Sequence, residues 1–359
     1  MSACTAEGSP MAPRDPQTVQ SHEHLTRERL DPLMGHDRPS ELRGTNAWKL
    51  SKPAKSGQIE GYSTNASGFS GATVTLRVST TARSFWVEAY RIGGYQRAAG
   101  RLVWRSSGRP GHRQTASRID ARTHMVTAPW RNSLTVRTDG WADGFYLFKL
   151  IARSGWQAHV PYVVQSRSTA GRAVLMAPAI TWQVYNDWGG YSLYRGRDGT
   201  RRAWSVSFDR PYPPPGASGM LYDVVPVVAA AEKAGVALAY VTDIDLEESP
   251  TSLTGARALF TLGHDEYWTR SRVQAVLRAR DAGTNLAFLG ANTMYWKVRL
   301  GASQTGRRRV VVGYRTDSAS DPRRDTPAAT GLWRELGRVE STMTGMQYEC
   351  FPVDQPFIV

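Results

Sequence analysis

The spacing of apolar residues changes near residue 170, and this change constrains the fold more than any other feature of the chain. From Trp48 to about Gln165, polar and apolar residues alternate in short runs broken by Gly, Pro, Asn and Ser, as in half-buried β-strands. After a linker at 166–171, continuous apolar runs alternate with segments of helical spacing. The pattern predicts a domain boundary at this linker.

The alternating region, residues 45–166, is predicted to form an all-β sandwich domain, because each run has one apolar and one polar face. Runs at 72–78, 84–90 and 133–137 are examples. The last two strands flank Ser154-Gly155, which is typical of a hairpin turn.

The second region, residues 171–359, is predicted to form an α/β domain with a parallel, amidotransferase/Rossmann-like sheet. Its order of strand, helix and strand is the basis for this prediction. The predicted strands are 172–178, 236–241, 256–262 and 284–290, and the predicted helices are 223–234 and 270–282. The chain ends on an apolar run at 357–359 that resembles an interrupted strand, so this domain is expected to be incomplete.

Composition narrows the classes of function. The net charge is +14, but the arginines are spread along the chain and only Arg307–Arg309 form a compact basic run, so no nucleic-acid partner is predicted. The two cysteines, Cys4 and Cys350, exclude a disulfide framework and a thiolate zinc cluster within one chain.

The length and position of apolar runs indicate where in the cell the protein is located. No stretch approaches the roughly 18 apolar residues of a membrane span, so the membrane is not an expected partner. The N-terminus lacks the apolar centre of a signal peptide, so a cytoplasmic location is expected. Residues 1–44 have no periodic apolar pattern and are predicted to be a disordered leader.

Polar residues follow three predicted strands at the edge where ligands bind in open α/β sheets. His264 and Glu266 follow the third strand, and Asp265 between them is predicted to cap a helix. Asn292 follows the fourth strand, where it either polarises a substrate carbonyl or satisfies the backbone of a turn. Tyr185 follows the first strand. The sequence thus predicts a hydrolytic site around His264 and Glu266.

The segment at 186–219 is rich in Gly, Tyr, Arg and Pro and is too long for an idle connection in a compact domain. We expect it to be a lid or a loop that faces the substrate.

Three motifs in this region resemble the large (beta) subunit of N,N-dimethylformamidase and its bacterial relatives. They are Ala-Pro-Ala-Ile-Thr-Trp-Gln-Val-Tyr-Asn-Asp-Trp-Gly-Gly at 177–190, Leu-Gly-His-Asp-Glu-Tyr-Trp at 262–268 and Gly-Ala-Asn-Thr-Met-Tyr-Trp-Lys at 290–297. The resemblance covers the second region well and the β-region more loosely.

The resemblance implies a mononuclear ferric iron held by Tyr146, Tyr185 and Glu266, with His264 and Asn292 as catalytic residues. Phenolate and carboxylate oxygens suit this hard cation. It also implies a small amide as substrate, and a small partner subunit and a homo-oligomer as partners. Two departures stand out: no motif match supplies the family's further downstream glutamate, and Arg315 takes the place of a lysine.

The leading prediction is therefore an iron-dependent hydrolase of small N-substituted amides. A second hypothesis is an inactive relative that binds a ligand or a carbohydrate. A third, a carbohydrate-active enzyme, is suggested by Trp182, Trp188, Tyr191 and Tyr194, but Asp265 and Glu266 are too close in sequence to flank a glycosidic bond.

Overall fold

The alternating region builds two β-sheets around a shared core. The computed structural model describes residues 39–349 except residues 200, 215, 218 and 250. In β3 and β9 every second residue is buried, as the alternation predicts. The strands of this region are β1 (Ile59–Ser63), β2 (Ser67–Phe69), β3 (Thr73–Thr80), β4 (Ser84–Ile92), β5 (Gly100–Arg105), β6 (Arg109–Pro110), β7 (Arg118–Ile119), β8 (Val126–Thr127), β9 (Leu134–Arg137), β10 (Gly144–Ala152) and β11 (Gln157–Gln165).

These strands pair into one sheet of order β1-β3-β9 and another of order β2-β11-β10-β4-β5, with β6 beside β4 and a separate β7-β8 pair. The predicted hairpin is confirmed: β10 and β11 are antiparallel, with Tyr146 opposite Tyr162. Apolar side chains from both larger sheets, including Ile59, Leu76 and Phe148, form one cluster. Burial in this cluster stabilises the region.

The second region contains two further sheets and the longest helices. Its strands are β12 (Ala173–Ala177), β13 (Ser205–Ser207), β14 (Leu238–Thr242), β15 (Ala258–Leu262), β16 (Tyr267–Thr269), β17 (Asn285–Leu289), β18 (Trp296–Ser303), β19 (Gly306–Val312) and β20 (Gly331–Leu332). Its helices are α1 (Ala179–Tyr185), α2 (Val225–Lys233), α3 (Asp245–Glu248), α4 (Arg270–Asp281) and α5 (Ser341–Thr344).

The four predicted parallel strands are present as β12, β14, β15 and β17. They form an all-parallel sheet of order β14-β12-β15-β17. The helices predicted at 223–234 and 270–282 correspond to α2 and α4, and a π-helical turn, Met220–Val224, precedes α2.

The expected fold class, an α/β amidotransferase/Rossmann-like sheet preceded by an all-β sandwich, is nevertheless wrong. The described residues are mainly β, with 35% strand and 19% helix. Strands β13, β16, β18, β19 and β20, which the apolar pattern does not predict, form a mostly antiparallel sheet. Helices in the described residues are also short, since even α4 has only 12 residues. A Rossmann-like sheet needs helical layers on both faces.

A direct contact between the two regions covers part of the parallel sheet. Phe145 of β10 and Val163 of β11 share an apolar cluster with Leu175 of β12 and Tyr240 of β14. The rings of Phe145 and Tyr240 meet edge to face at 5.3 Å. Side chains of the antiparallel sheet thus pack beside α2 on the parallel sheet, where a Rossmann-like fold would have only helices.

The described residues belong to one compact unit. The boundary at 166–171 and the division into domains 45–166 and 171–359 stay predictions. Of the predicted leader, residues 1–38 lie outside the described residues, and so does the apolar run at 357–359. None of the described helices combines the length and apolar character that a membrane crossing requires.

Candidate functional site

The candidate site lies at the carboxyl ends of β15 and β17. The backbone amide of Gly263, just after β15, donates to the carbonyl of Leu289 at 3.1 Å. A Cβ on Gly290 would lie 1.8 Å from the Gly263 carbonyl oxygen, so only glycine allows the two loops to approach this closely. Trp296 then donates to the carbonyl of Glu266 at 3.0 Å. The loops that follow β15 and β17, which carry Glu266 and Asn292, are therefore held side by side.

Glu266 is the centre of a cluster with two tyrosines. Its side chain is buried, and its Oε2 lies 2.7 Å from the Tyr185 hydroxyl. Its Oε1 lies 2.5 Å from the hydroxyl of Tyr194. The two hydroxyl oxygens are 2.8 Å apart. Two phenols and one carboxylate from distant parts of the chain thus share one small volume.

His264 completes the cluster on its open side. Its Nε2 lies 2.8 Å from the Tyr185 hydroxyl and 3.1 Å from Oε2 of Glu266. The imidazole is 42% exposed, whereas the Glu266 side chain is only 3% exposed. His264 therefore connects a buried acid to solvent, which suits a group that transfers protons.

The tyrosines are held by different elements. Tyr185 is the last residue of α1. Tyr194 lies in the predicted lid, and its ring stacks on that of Tyr185 with centroids 4.3 Å apart. The guanidinium of Arg315 lies 3.8 Å from the Tyr194 ring centroid and donates to the Leu193 carbonyl at 2.9 Å. Arg315 therefore fixes the segment that delivers Tyr194.

The phenols are protonated when only the protein is present. Burial raises the pKa of Tyr185, and the neighbouring Glu266 and Tyr194 raise it further. Burial also raises the pKa of Tyr194, and the neighbouring Tyr267 and Glu266 raise it further. Each phenol then has one proton to donate in its short hydrogen bond to the Glu266 carboxylate. Deprotonating both phenols requires a positive charge at the cluster.

A buried ion pair supports the loop that carries Glu266. Arg272 of α4 donates to Oδ1 of Asp265 at 2.9 Å and also bonds its Oδ2. The same guanidinium lies 3.5 Å from Asp243 and 3.7 Å from the Trp268 ring centroid. Burial raises the pKa of Asp243 to about 8, which Arg272 opposes. The N-cap of α4 is Thr269, which accepts from the Arg272 amide, and not Asp265 as predicted.

Two predicted site residues lie apart from the cluster. Tyr146 is buried within the β-region, where its hydroxyl donates to the Ala142 carbonyl at 2.6 Å and its ring stacks on Trp141. The structure does not bring it to Glu266. Asn292 lies on the adjacent loop with φ of 42°, and its buried Oδ1 has no hydrogen-bond partner among the described residues. Asn292 therefore neither joins the cluster nor satisfies the turn through this oxygen.

Tyr194 takes the position expected of Tyr146. Apolar periodicity carries no signal for it, because residues 191–196 around it form neither helix nor strand. The useful signal is the unusual length of the 186–219 connection and its tyrosine content. That signal marks the segment as functional but does not single out one residue.

The donor set fits a hard metal ion. Among the described residues, no group of three or more His, Cys, Asp or Glu side chains is arranged to hold a metal. A metal here would therefore depend on the two phenols. The separations of 2.5, 2.7 and 2.8 Å are those of hydrogen bonds, and they bring two phenol oxygens and one carboxylate together as oxygen donors of the kind that a hard cation prefers.

Comparison with known proteins identifies a family. A family model described as "N,N-dimethylformamidase beta subunit-like, C-terminal" matches residues 86–359. No curated protein matches the chain. Among solved structures, a Paenibacillus sp. cycloisomaltooligosaccharide glucanotransferase complexed with cycloisomaltoheptaose is 10% identical and covers 59% of this chain and 28% of its own, with a TM-score of 0.21. A score this low carries no argument about fold or function.

Proposed function

The chain belongs to the N,N-dimethylformamidase beta subunit-like family, and from this membership we propose that it is a metal-dependent hydrolase of N-substituted amides. The family description relates the chain to a hydrolase and to a multi-subunit enzyme. The observation that carries the finer proposal is the convergence of Tyr185, Tyr194 and Glu266 within 2.5–2.8 Å. A partner subunit is part of the proposal.

Ferric iron is the proposed metal, with Tyr185, Tyr194 and Glu266 as its protein ligands. Anionic oxygen donors suit a hard, highly charged cation. Bound there, the metal would supply Lewis acidity toward the amide carbonyl and lower the pKa of water. The two phenols, whose pKa values are raised in the protein, become good ligands only as phenolates, and the positive charge that they need is the one that this site would hold.

His264 is proposed to move protons. Its Nε2 is within hydrogen-bond distance of Tyr185 and Glu266, and its ring is exposed toward solvent. It accepts a proton from the cluster or from water and delivers one to the departing amine nitrogen, which must be protonated to leave. Asn292 is proposed to bind the substrate through its amide group, because its Oδ1 has no partner within the described chain.

The proposal is tested by supplying ferric iron to the purified full chain. We expect about one iron per chain, a visible absorption band from the coordinated phenolates and hydrolysis of N,N-dimethylformamide or a larger N-substituted formamide. The measurements are metal analysis, absorbance and amine release. Colourless, iron-free and inactive protein would refute the proposal and favour an inactive relative that binds a ligand.

Exchanging tyrosine for phenylalanine at two positions separates the two candidates for the second phenol. Tyr194→Phe removes one cluster oxygen and is expected to weaken or shift the visible band and to reduce iron retention by about 10-fold or more. Tyr146→Phe is the matched control. It removes a hydrogen bond to Ala142, so a stability loss of about 1–2 kcal/mol with an unchanged band is expected. The reverse pattern in the absorbance spectra would restore Tyr146 as the ligand.

A further inference from the structure

A cavity of about 410 Å³ opens beside the candidate site. Tyr185 and His264 form its wall nearest the cluster. Most of the remaining wall is apolar or aromatic: Pro161, Trp182, Tyr212, Pro213, Ala217 and Met220. Since the cavity and the cluster share Tyr185 and His264, a molecule that reacts at the cluster can extend into this space.

The cavity is much larger than a small formamide requires. An apolar cavity of about 150 Å³ is sufficient to bind benzene, and pockets for drug-sized ligands begin at about 300 Å³. N,N-dimethylformamide has fewer heavy atoms than benzene. Such a molecule would leave most of the 410 Å³ unfilled and would gain little from burying apolar surface. The volume indicates a substrate with a substituent of at least aromatic size.

Asp223 introduces one charge into this apolar wall. It belongs to the π-helical turn Met220–Val224, an irregularity that is frequent at functional sites. Gly263 has φ of 62°, and a Cβ there would lie 2.1 Å from the Asp223 carboxyl carbon. A side chain at position 263 would therefore displace Asp223. The glycine permits both the left-handed backbone and the close approach of the carboxyl group.

The Asp223 carboxylate has no ion-pair partner among the described residues. Burial raises its pKa, and the backbone amide and imidazole of His264 oppose this shift. No other carboxylate lines the described part of the cavity. A half-buried carboxylate outside any ion pair is costly, and a ligand that carries a cation would offset the cost. Trp182 and Tyr212 in the same wall are aromatic, and aromatic rings attract cations.

We propose that this cavity binds the side arm of an amide substrate, and that the arm combines an aromatic-sized apolar group with a protonated amine held by Asp223. The inference rests on the proposed function for the reaction itself. It adds the class of substrate, which is an amide whose side arm is a bulky organic cation.

The test is a titration of the metal-free full chain at neutral pH with 2-phenylethylammonium and with 2-phenylethanol, a neutral ligand of similar shape. We expect the ammonium ligand to bind at least about 10-fold more tightly than the alcohol, as a hydrogen bond to a charged group implies. Asp223→Asn, which keeps the side-chain shape, should reduce the difference to within about 2-fold. Asp281→Asn, the same change at an exposed residue of α4, should preserve it.

Equal affinities of the wild-type chain for the two ligands would overturn the inference without any variant, so the test does not depend on the folding of Asp223→Asn. A preference that survives Asp223→Asn would also overturn it, because another group would then recognise the cation. Since the titration uses metal-free protein, failure to bind iron or to hydrolyse amides overturns only the proposed function.

Discussion

Replacing Glu266 with alanine is expected to reduce iron affinity by at least about 100-fold and to abolish amide hydrolysis. Losing an outer partner of a metal ligand already costs about 10–100-fold, and loss of a ligand costs more. Glu266 also accepts from both Tyr185 and Tyr194, so its removal takes away the group that holds their hydroxyls together. Iron per chain after dialysis and the visible band measure the first effect, and amine release measures the second.

Two variants define what this result means. His264→Ala is expected to retain iron but to slow turnover by about 10²–10⁴-fold, the usual contribution of a proton-transfer group. Glu335→Ala removes an exposed glutamate and should change neither property. If Glu266→Ala and His264→Ala lose iron equally, the separate roles assigned to these two residues are incorrect.

Replacing Arg272 with methionine is expected to destabilise the protein by about 3–5 kcal/mol. Removing one member of a buried ion pair leaves the other as an unpaired buried charge. Here Asp265 would lose its counterion in a fully buried environment, and Asp243 would lose the positive charge that opposes the rise of its pKa. Methionine and arginine have similar helix propensities, so the change tests the charge and not the stability of α4 itself. Denaturant titration measures the loss.

Arg278→Met is the matched control, because Arg278 is an exposed residue of the same helix. A change within about 0.5 kcal/mol is expected there. Because Asp265 lies next to Glu266, Arg272→Met should also weaken iron retention in the protein that remains folded. Equal stability of the two variants would show that the Arg272 pair contributes little to the fold.

Part of the candidate site can be predicted from the sequence, because some of its residues directly follow strands. The continuous apolar runs locate β15 and β17, and the residues after a parallel strand lie at the edge where ligands bind. This reasoning reaches His264, Glu266 and the loop of Asn292. Tyr185 is reached through its motif, although it ends α1 and does not lie on a strand. These positions depend on short-range pattern, which a single chain displays directly.

The second phenol depends on tertiary structure. Tyr146 has the pattern of a strand residue, and its side chain faces the interior of the β-region, where its hydroxyl donates a hydrogen bond to the Ala142 carbonyl. Tyr194 has no periodic context. It meets Glu266 because it stacks on Tyr185 and because Arg315, more than a hundred residues later in the sequence, anchors the preceding carbonyl of Leu193. Contacts between such distant positions cannot be inferred from spacing.

The apolar periodicity by itself determined that the first region is built of strands, where the four parallel strands of the second region lie and which residues follow them. Only the tertiary structure decided that the molecule is mainly β, that β4, β10 and β11 pack against the parallel sheet, and that Tyr194 rather than Tyr146 joins Glu266. The physical reason is that periodicity records which face of an element is buried, whereas the partner that buries it is chosen by packing and hydrogen bonding across the whole chain.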